Sequence, residues 1–325
     1  MRTILNALAF AVVTVTLASL AQPASPGLYV GCIWEMRKGG EISISNTATR
    51  VTTHLRQNTA RFWPVYEFDY LRCAPGTWVT LTLRYGTQTT NTYPNWTRVP
   101  PEPDPLTEDS RVRKAVLLVE ALKPTERPRA ARKMPIFQPA DKSAIRLAGK
   151  MVIRWTPKPG VERLALSLRS GTDVVWQTDV DATTGKSEEP ELRERLIRAR
   201  DSGRTNFVLQ CQLDATNFAS NKFSILSAAD ERRLAKELAD LQADPSEDAA
   251  RSHLVRAALL EHYGLLNEVT DEYEEAIRCL GDVGSIPLLD RASSANQIIG
   301  NVRRGGQLLD LLRRLDALND IEPGQ

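Results

Sequence analysis

Histidine is scarce: the chain of 325 residues holds 3 His, with 4 Cys and 4 Met. So few imidazoles leave little material for a His-rich metal site or a His-based catalytic centre, and no metal or cofactor is expected. Neither sign of charge dominates, since 42 Lys+Arg stand against 40 Asp+Glu. A formal +2 gives no overall field that would make nucleic acid the main partner. Beyond the first 20 residues no stretch approaches the roughly 20 apolar residues of a membrane span. No Ser sits in a G-x-S-x-G elbow, no Gly-rich phosphate loop follows a strand, and His253 and His262 are too far apart for a metal pair on one helix face. What is present is ordinary: 42% hydrophobic and 25% charged residues, and length for two or three domains.

The N-terminus supplies an address. Arg2 precedes an apolar run from Ile4 to Leu20, and Ser19-Leu20-Ala21 puts small residues where a signal peptidase reads. Residues 1–21 are expected to be a cleaved signal peptide, with a retained anchor as the alternative. An exported protein of the periplasm or medium follows, in which Cys32 and Cys73 become a possible disulfide. Such a bond would close a loop of about 40 residues and add about 4 kcal/mol on the chain-entropy account.

Periodicity divides the rest. Residues 28–93 are rich in Thr, Val, Tyr and Trp, and Ile42-Ser43-Ile44-Ser45 alternates with a period of two, which predicts a small all-β domain. Residues 94–135 read as a Pro-rich and then basic linker. It carries one amphipathic helix, with Val112, Ala115, Val116, Val119 and Leu122 on its apolar side. Residues 136–226 predict a β-sandwich of immunoglobulin or fibronectin type with Trp155 and Trp176 in its core. One helix interrupts it, burying Leu192, Leu196 and Ala199. From Ser227 the period becomes 3.6, giving an α-helical domain over 227–325 with turns at Gly264, Gly281 and Gly305-Gly306.

Within that domain Ala257, Gly264, Val269, Tyr273 and Ala276 follow one another at offsets of seven, five, four and three. In this spacing the stretch from His253 to Gly281 resembles a tetratricopeptide repeat, where small residues let two helices touch and an aromatic fills the gap between hairpins. A poorer second copy is read in Ile299, Val302, Gly306, Leu311, Leu315 and Leu318. The stretch MVIRWTPKPGVERLALSLRSGTDVVW, continuing through FSIL into the helices, is similar to bacterial exported proteins with a fibronectin-like module before such repeats. GEISISN with FDYLRCAPGTWVTLTLRYG resembles a FecR-like β domain. These resemblances imply an envelope-associated interaction or sensing module.

The expected function is therefore non-enzymatic: binding of a protein or peptide by the C-terminal hairpins, with His253, Arg256 and Leu260 as groove residues. The alternatives are an envelope-polymer hydrolase, which needs two buried carboxylates converging in a cleft, and a carbohydrate-binding protein using Trp63, Trp78 and Trp96. Asp179-Val180-Asp181-Ala182-Thr183 has the outline of a phosphotransfer or calcium motif, yet Thr184 and Pro190 occupy the positions where a calcium loop needs Gly and Glu, so it reads as a strand-end turn. The near-zero net charge hides a division. Residues 228–325 hold 11 Lys+Arg and 19 Asp+Glu, whereas residues 1–227 hold 31 and 21. A basic half thus precedes an acidic one, suited to docking on each other or to two partners of opposite sign.

Overall fold

The computed structural model describes residues 25–37, 40–85, 88–100, 110–123, 136–149, 151–157, 159–212, 218–241, 248–281 and 285–319. The expected signal segment and nearly all of the basic stretch from Lys123 to Lys133 lie outside them. The chain is a mixed β+α protein.

Its first unit runs through β1 (Tyr29–Arg37), β2 (Glu41–Asn46), β3 (Val51–Arg56), the one-turn helix α1 (Gln57–Ala60), β4 (Pro64–Tyr66), β5 (Asp69–Cys73), β6 (Trp78–Leu83), β7 (Gln88–Asn91) and β8 (Thr97–Arg98). Two antiparallel sheets form, ordered β4-β1-β6-β7 and β3-β2-β5-β8. The alternation in β2 sends Ile42 and Ile44 into a core shared with Ile33, Leu55, Leu71, Val79 and Leu81. It leaves Ser43 and Ser45 on the opposite face.

Here the disulfide expectation is corrected. Cys32 and Cys73 are both free and buried. They stand on strands of different sheets, and their side chains enter different cores: Cys73 packs with Ile42 and Leu71, whereas Cys32 packs with the C-terminal helices.

After α2 (Ser110–Leu122) come β9 (Ile136–Gln138), β10 (Ser143–Ile145), β11 (Val152–Trp155), β12 (Arg163–Ser170), β13 (Asp173–Asp181), β14 (Lys186–Glu188), α3 (Pro190–Asp201), β15 (Asn206–Gln212) and β16 (Phe218–Ile225). The strands make a sheet ordered β10-β16-β15-β12-β13 and a smaller one ordered β14-β11-β9. Among the described residues only the β10–β16 pair is parallel. Trp155 and Trp176 lie in the core of this unit, and α3 buries Leu192, Leu196 and Ala199 against it.

Among the described residues five helices follow: α4 (Ala228–Asp240), α5 (Ala249–His262), α6 (Leu266–Leu280), α7 (Ile286–Ile298) and α8 (Val302–Asn319). Ser227 Oγ caps α4 by accepting the amide of Asp230 at 3.0 Å. The hairpin turn between α5 and α6 is at Gly264, φ +71°. The last turn differs from expectation: α7 ends before Gly300, φ +88°, while Gly305 and Gly306 lie inside α8. Gly305 is where α8 crosses α7, since a Cβ there would meet Gln297 Cγ at 2.9 Å and Ser293 O at 3.2 Å. Its glycine serves helix contact, not chain reversal.

The largest core ignores the expected boundaries. Ala257, Val269, Tyr273 and Ala276 are buried in it together with Leu118, Ala121 and Leu122 of α2 and with Cys32, Trp34 and Phe62 of the first unit. The Trp34 and Phe62 rings lie 4.9 Å apart, with the Arg61 guanidinium above both. The segment expected to be a linker thus contributes a helix to the α domain's own core. Val116, expected on the apolar side, is exposed, and Leu118 is buried in its stead. α2 is covered from two directions, by α5 and α7 and by β1 and β6, which rotates its buried side relative to a single-sided stripe.

Candidate functional site

Part of the charge division is met by contacts within the chain. Several ion pairs join an arginine from the basic half to an acid of the helices. Arg61 pairs with Asp248, Arg113 with Glu237, Arg146 with Glu268, Arg154 with Asp271 and Arg200 with Glu231. Arg200–Glu231, at 2.6 Å, is the most enclosed of them. Glu231 also accepts the main-chain amide of Leu147. Neutral bonds lie between these pairs. Asn267 on α6 accepts from Ala140 N at 2.9 Å and donates to Phe137 O at 2.7 Å, and Ala144 N donates to Gly264 O at 2.9 Å.

Where the second β unit meets α6 the surfaces leave a polar cleft of about 350 Å³, lined by Arg146, Met151, Arg154, Glu268, Asp271 and Glu272. A smaller recess of about 200 Å³ continues it along Arg154, Asn267 and Asp271 towards Glu274 and Arg304. Burial pushes both Glu268 and Asp271 above the usual carboxylate range, against the pull of Arg146 and Arg154 respectively. Sequence spacing gave no sign of a carboxylate pair here, because the cleft exists only through contacts between α6 and strands more than a hundred residues away.

The three expected groove residues are not together. Leu260 is 2% exposed and belongs to the large core, so its place in an open groove is corrected. His253 Nδ1 lies 2.7 Å from Glu272 Oε2, and Arg256 lies 2.8 Å from Glu272 Oε1, so both are held by α6. One face of α5 and α7 is covered by α2 of the same chain. Tyr273 reaches across from α6, its Oη donating to Ala121 O at 2.8 Å. Arg291 on α7 donates to the same Oη at 3.0 Å and to both oxygens of Glu261 at 2.8 and 2.6 Å. Burial pushes the Tyr273 phenol up to about 12, which keeps it a neutral donor.

Two further polar arrangements, at His54 and at Asp181, have local explanations. Ser43 Oγ lies 2.9 Å and Glu41 Oε1 3.0 Å from His54, but both contact the same nitrogen, Nδ1. A nucleophile relay needs the hydroxyl and the carboxylate on opposite ring nitrogens. Asp181 Oδ1 accepts from the amide and the hydroxyl of Thr183, at 2.8 and 2.6 Å, which makes the strand-end turn and draws the Asp181 carboxyl down. Among the described residues no three His, Cys, Asp or Glu side chains gather as a metal site. Among them too, no helix is long and apolar enough to cross a membrane. Compared with known protein families and with curated protein sequences, the chain gives no match.

Proposed function

We propose that the chain is an exported, non-enzymatic protein-binding module whose C-terminal helices receive an amphipathic helix. The carrying observation is α2: the face of α5 and α7 holds a helix through Leu118, Ala121 and Leu122, with a polar fix from Tyr273. This is recognition of a helix in a groove, in which apolar anchors give affinity and one directed hydrogen bond sets the register. In this reading α2 is the ligand in cis and a partner's helix takes the same place in trans. The helices are tetratricopeptide-like hairpins in the same reading, supported by the buried small and aromatic residues of the first pair. Gly300 follows Gly264 by 36 residues, near the 34-residue period of that repeat. The second β unit is read as fibronectin-like and the first as FecR-like, with the signal segment giving the export.

The test is a labelled peptide of residues 110–123 offered to the full-length chain. Wild type binds it poorly because α2 competes. Leu118→Ala with Leu122→Ala weakens the cis helix and raises the affinity at least about tenfold. If that variant keeps its helical circular dichroism yet binds no peptide, the face does not recognise helices in trans.

A specific observation favours a second reading, an exported polymer hydrolase: Glu268 and Asp271 share the 350 Å³ cleft and both are raised by burial. Each has its own arginine, which suits a clamp better than proton transfer. Turnover of an envelope polymer that disappears in Glu268→Gln and Asp271→Asn would reverse the preference.

A further inference from the structure

The helix-binding reading leaves one built surface unused, the outer face of the β3-β2-β5-β8 sheet. Strand register arranges it in two rows. His54, Ser43 and Arg72 stand side by side across β3, β2 and β5, and in the next row Thr52, Ser45, Tyr70 and Arg98 span all four strands. Arg72 and Arg98 are therefore diagonal neighbours, about 7–8 Å apart at the backbone. Among the described residues neither has a carboxylate partner: Arg72 lies over the Trp96 ring at 4.9 Å, and Arg98 donates only to the main-chain oxygen of Glu67, at 3.5 Å. Trp96 is 41% exposed, so an indole is presented to solvent beside the cations. Residues 28–100 hold eight Lys+Arg against four Asp+Glu, and the one acid of these strands on this face, Glu41, is engaged by His54.

We infer that this face binds an acidic polysaccharide, its carboxylates on Arg72 and Arg98 and a sugar ring against Trp96. Three properties of the surface point to that chemistry. It is a pleated sheet face with the small hydroxyl residues Ser45 and Thr52 between the larger groups, so an extended polymer can lie across it and exchange hydrogen bonds. Its uncompensated charge is positive but sparse, which fits a polymer bearing one carboxylate per sugar or fewer. A nucleic acid, with a phosphate on every residue, draws its affinity from many cations. Its exposed indole offers an apolar plate to the C–H face of a sugar, and a guanidinium stacked beneath that plate is oriented for a carboxylate on the same sugar.

The experiment uses the full-length chain against three immobilised polymers at low ionic strength: polygalacturonate, neutral dextran and polyuridylate. Expected are binding to polygalacturonate, little to dextran, and a fall in affinity as salt is raised. Arg72→Ala and Trp96→Ala each lower the polygalacturonate affinity at least tenfold. Trp78→Ala, on the other sheet of the same unit, leaves it unchanged. All three positions are exposed, so unchanged thermal midpoints establish that the fold is intact. Failure of wild type to bind polygalacturonate overturns the inference, as does equal binding by all three variants. Tighter binding to polyuridylate, lost in the same two variants, overturns it in favour of a nucleic-acid face. None of these outcomes involves α2 or its groove, so this result and the peptide result stand independently.

Discussion

Tyr273 Oη donates a 2.8 Å hydrogen bond to the main-chain oxygen of Ala121, across 152 residues of sequence. Ala121 lies in the last turn of α2, where carbonyls lack helical partners, so the phenol completes a helix that belongs to a distant part of the chain. The same Oη accepts a hydrogen bond from Arg291 Nε at 3.0 Å.

Replacing Tyr273 by Phe keeps the ring and removes both bonds. A buried carbonyl and a buried guanidinium nitrogen lose their partner, and the expected cost is about 1–3 kcal/mol. Urea unfolding followed by circular dichroism measures it. An unchanged midpoint would mean that α2 is held by apolar contact alone.

The thiols give a second prediction. Cys32, Cys73 and Cys211 are free and buried, and Cys279 is exposed. Burial pushes the Cys32 thiol up to about 12 and the Cys211 thiol up to about 11, which removes the reactive thiolate as well as access. Native protein treated with iodoacetamide should gain one adduct, at Cys279. Unfolded without reductant it should gain four; a count of two would show that Cys32 and Cys73 are bonded after all.

Adjacent glycines in α8 should respond with opposite sign. Gly305→Ala forces a Cβ against Gln297 and Ser293 of α7 and should destabilise by about 1–3 kcal/mol. Gly306→Ala meets nothing within 4 Å and should stabilise by about 0.4–1 kcal/mol through the unfolded chain. Thermal midpoints of the two variants, one below and one above wild type, are the readout.

Glu268 sets a pH dependence. Its ordinary value is 4.5, and burial raises it in the fold against the pull of Arg146. The folded state therefore holds this proton more tightly than the unfolded chain does. Its contribution is fully present below 4.5 and is lost as pH rises through the higher folded value. Glu268→Gln abolishes that dependence, so the stability of wild type relative to the variant should fall over the interval in which pH rises from 4.5 through the raised folded value. A difference that stays flat or grows over this interval would contradict the burial of Glu268.

Much of the local structure is legible in the sequence. Ser227 announces its helix by its chemistry. The stripe of Leu192, Leu196 and Ala199 survives unchanged because α3 meets a single surface. Gly305-Gly306 misleads because glycine has two uses, and only the crossing with α7 distinguishes helix contact from a turn. Leu260 misleads for a related reason: repeat spacing places it on the first helix of a hairpin, but what covers that helix is decided by α2, far upstream. The cleft around Glu268 and Asp271 and the clamp of arginines are likewise properties of distant pairs. The charge division of the chain hinted at the clamp; no local pattern names its members.

The core that joins Trp34 and Phe62 to Leu254, Leu288 and Leu308 fixes an order of events during synthesis. The first β unit emerges with two large rings on a face that α2 covers in part and whose remaining cover, from α5 onward, lies about two hundred residues later. Until α5 and α7 arrive, that face is an adhesive apolar surface on a half-made chain, and contacts this distant in sequence close slowly. Shortened products ending before α5 should accordingly be insoluble even though their own β core is complete.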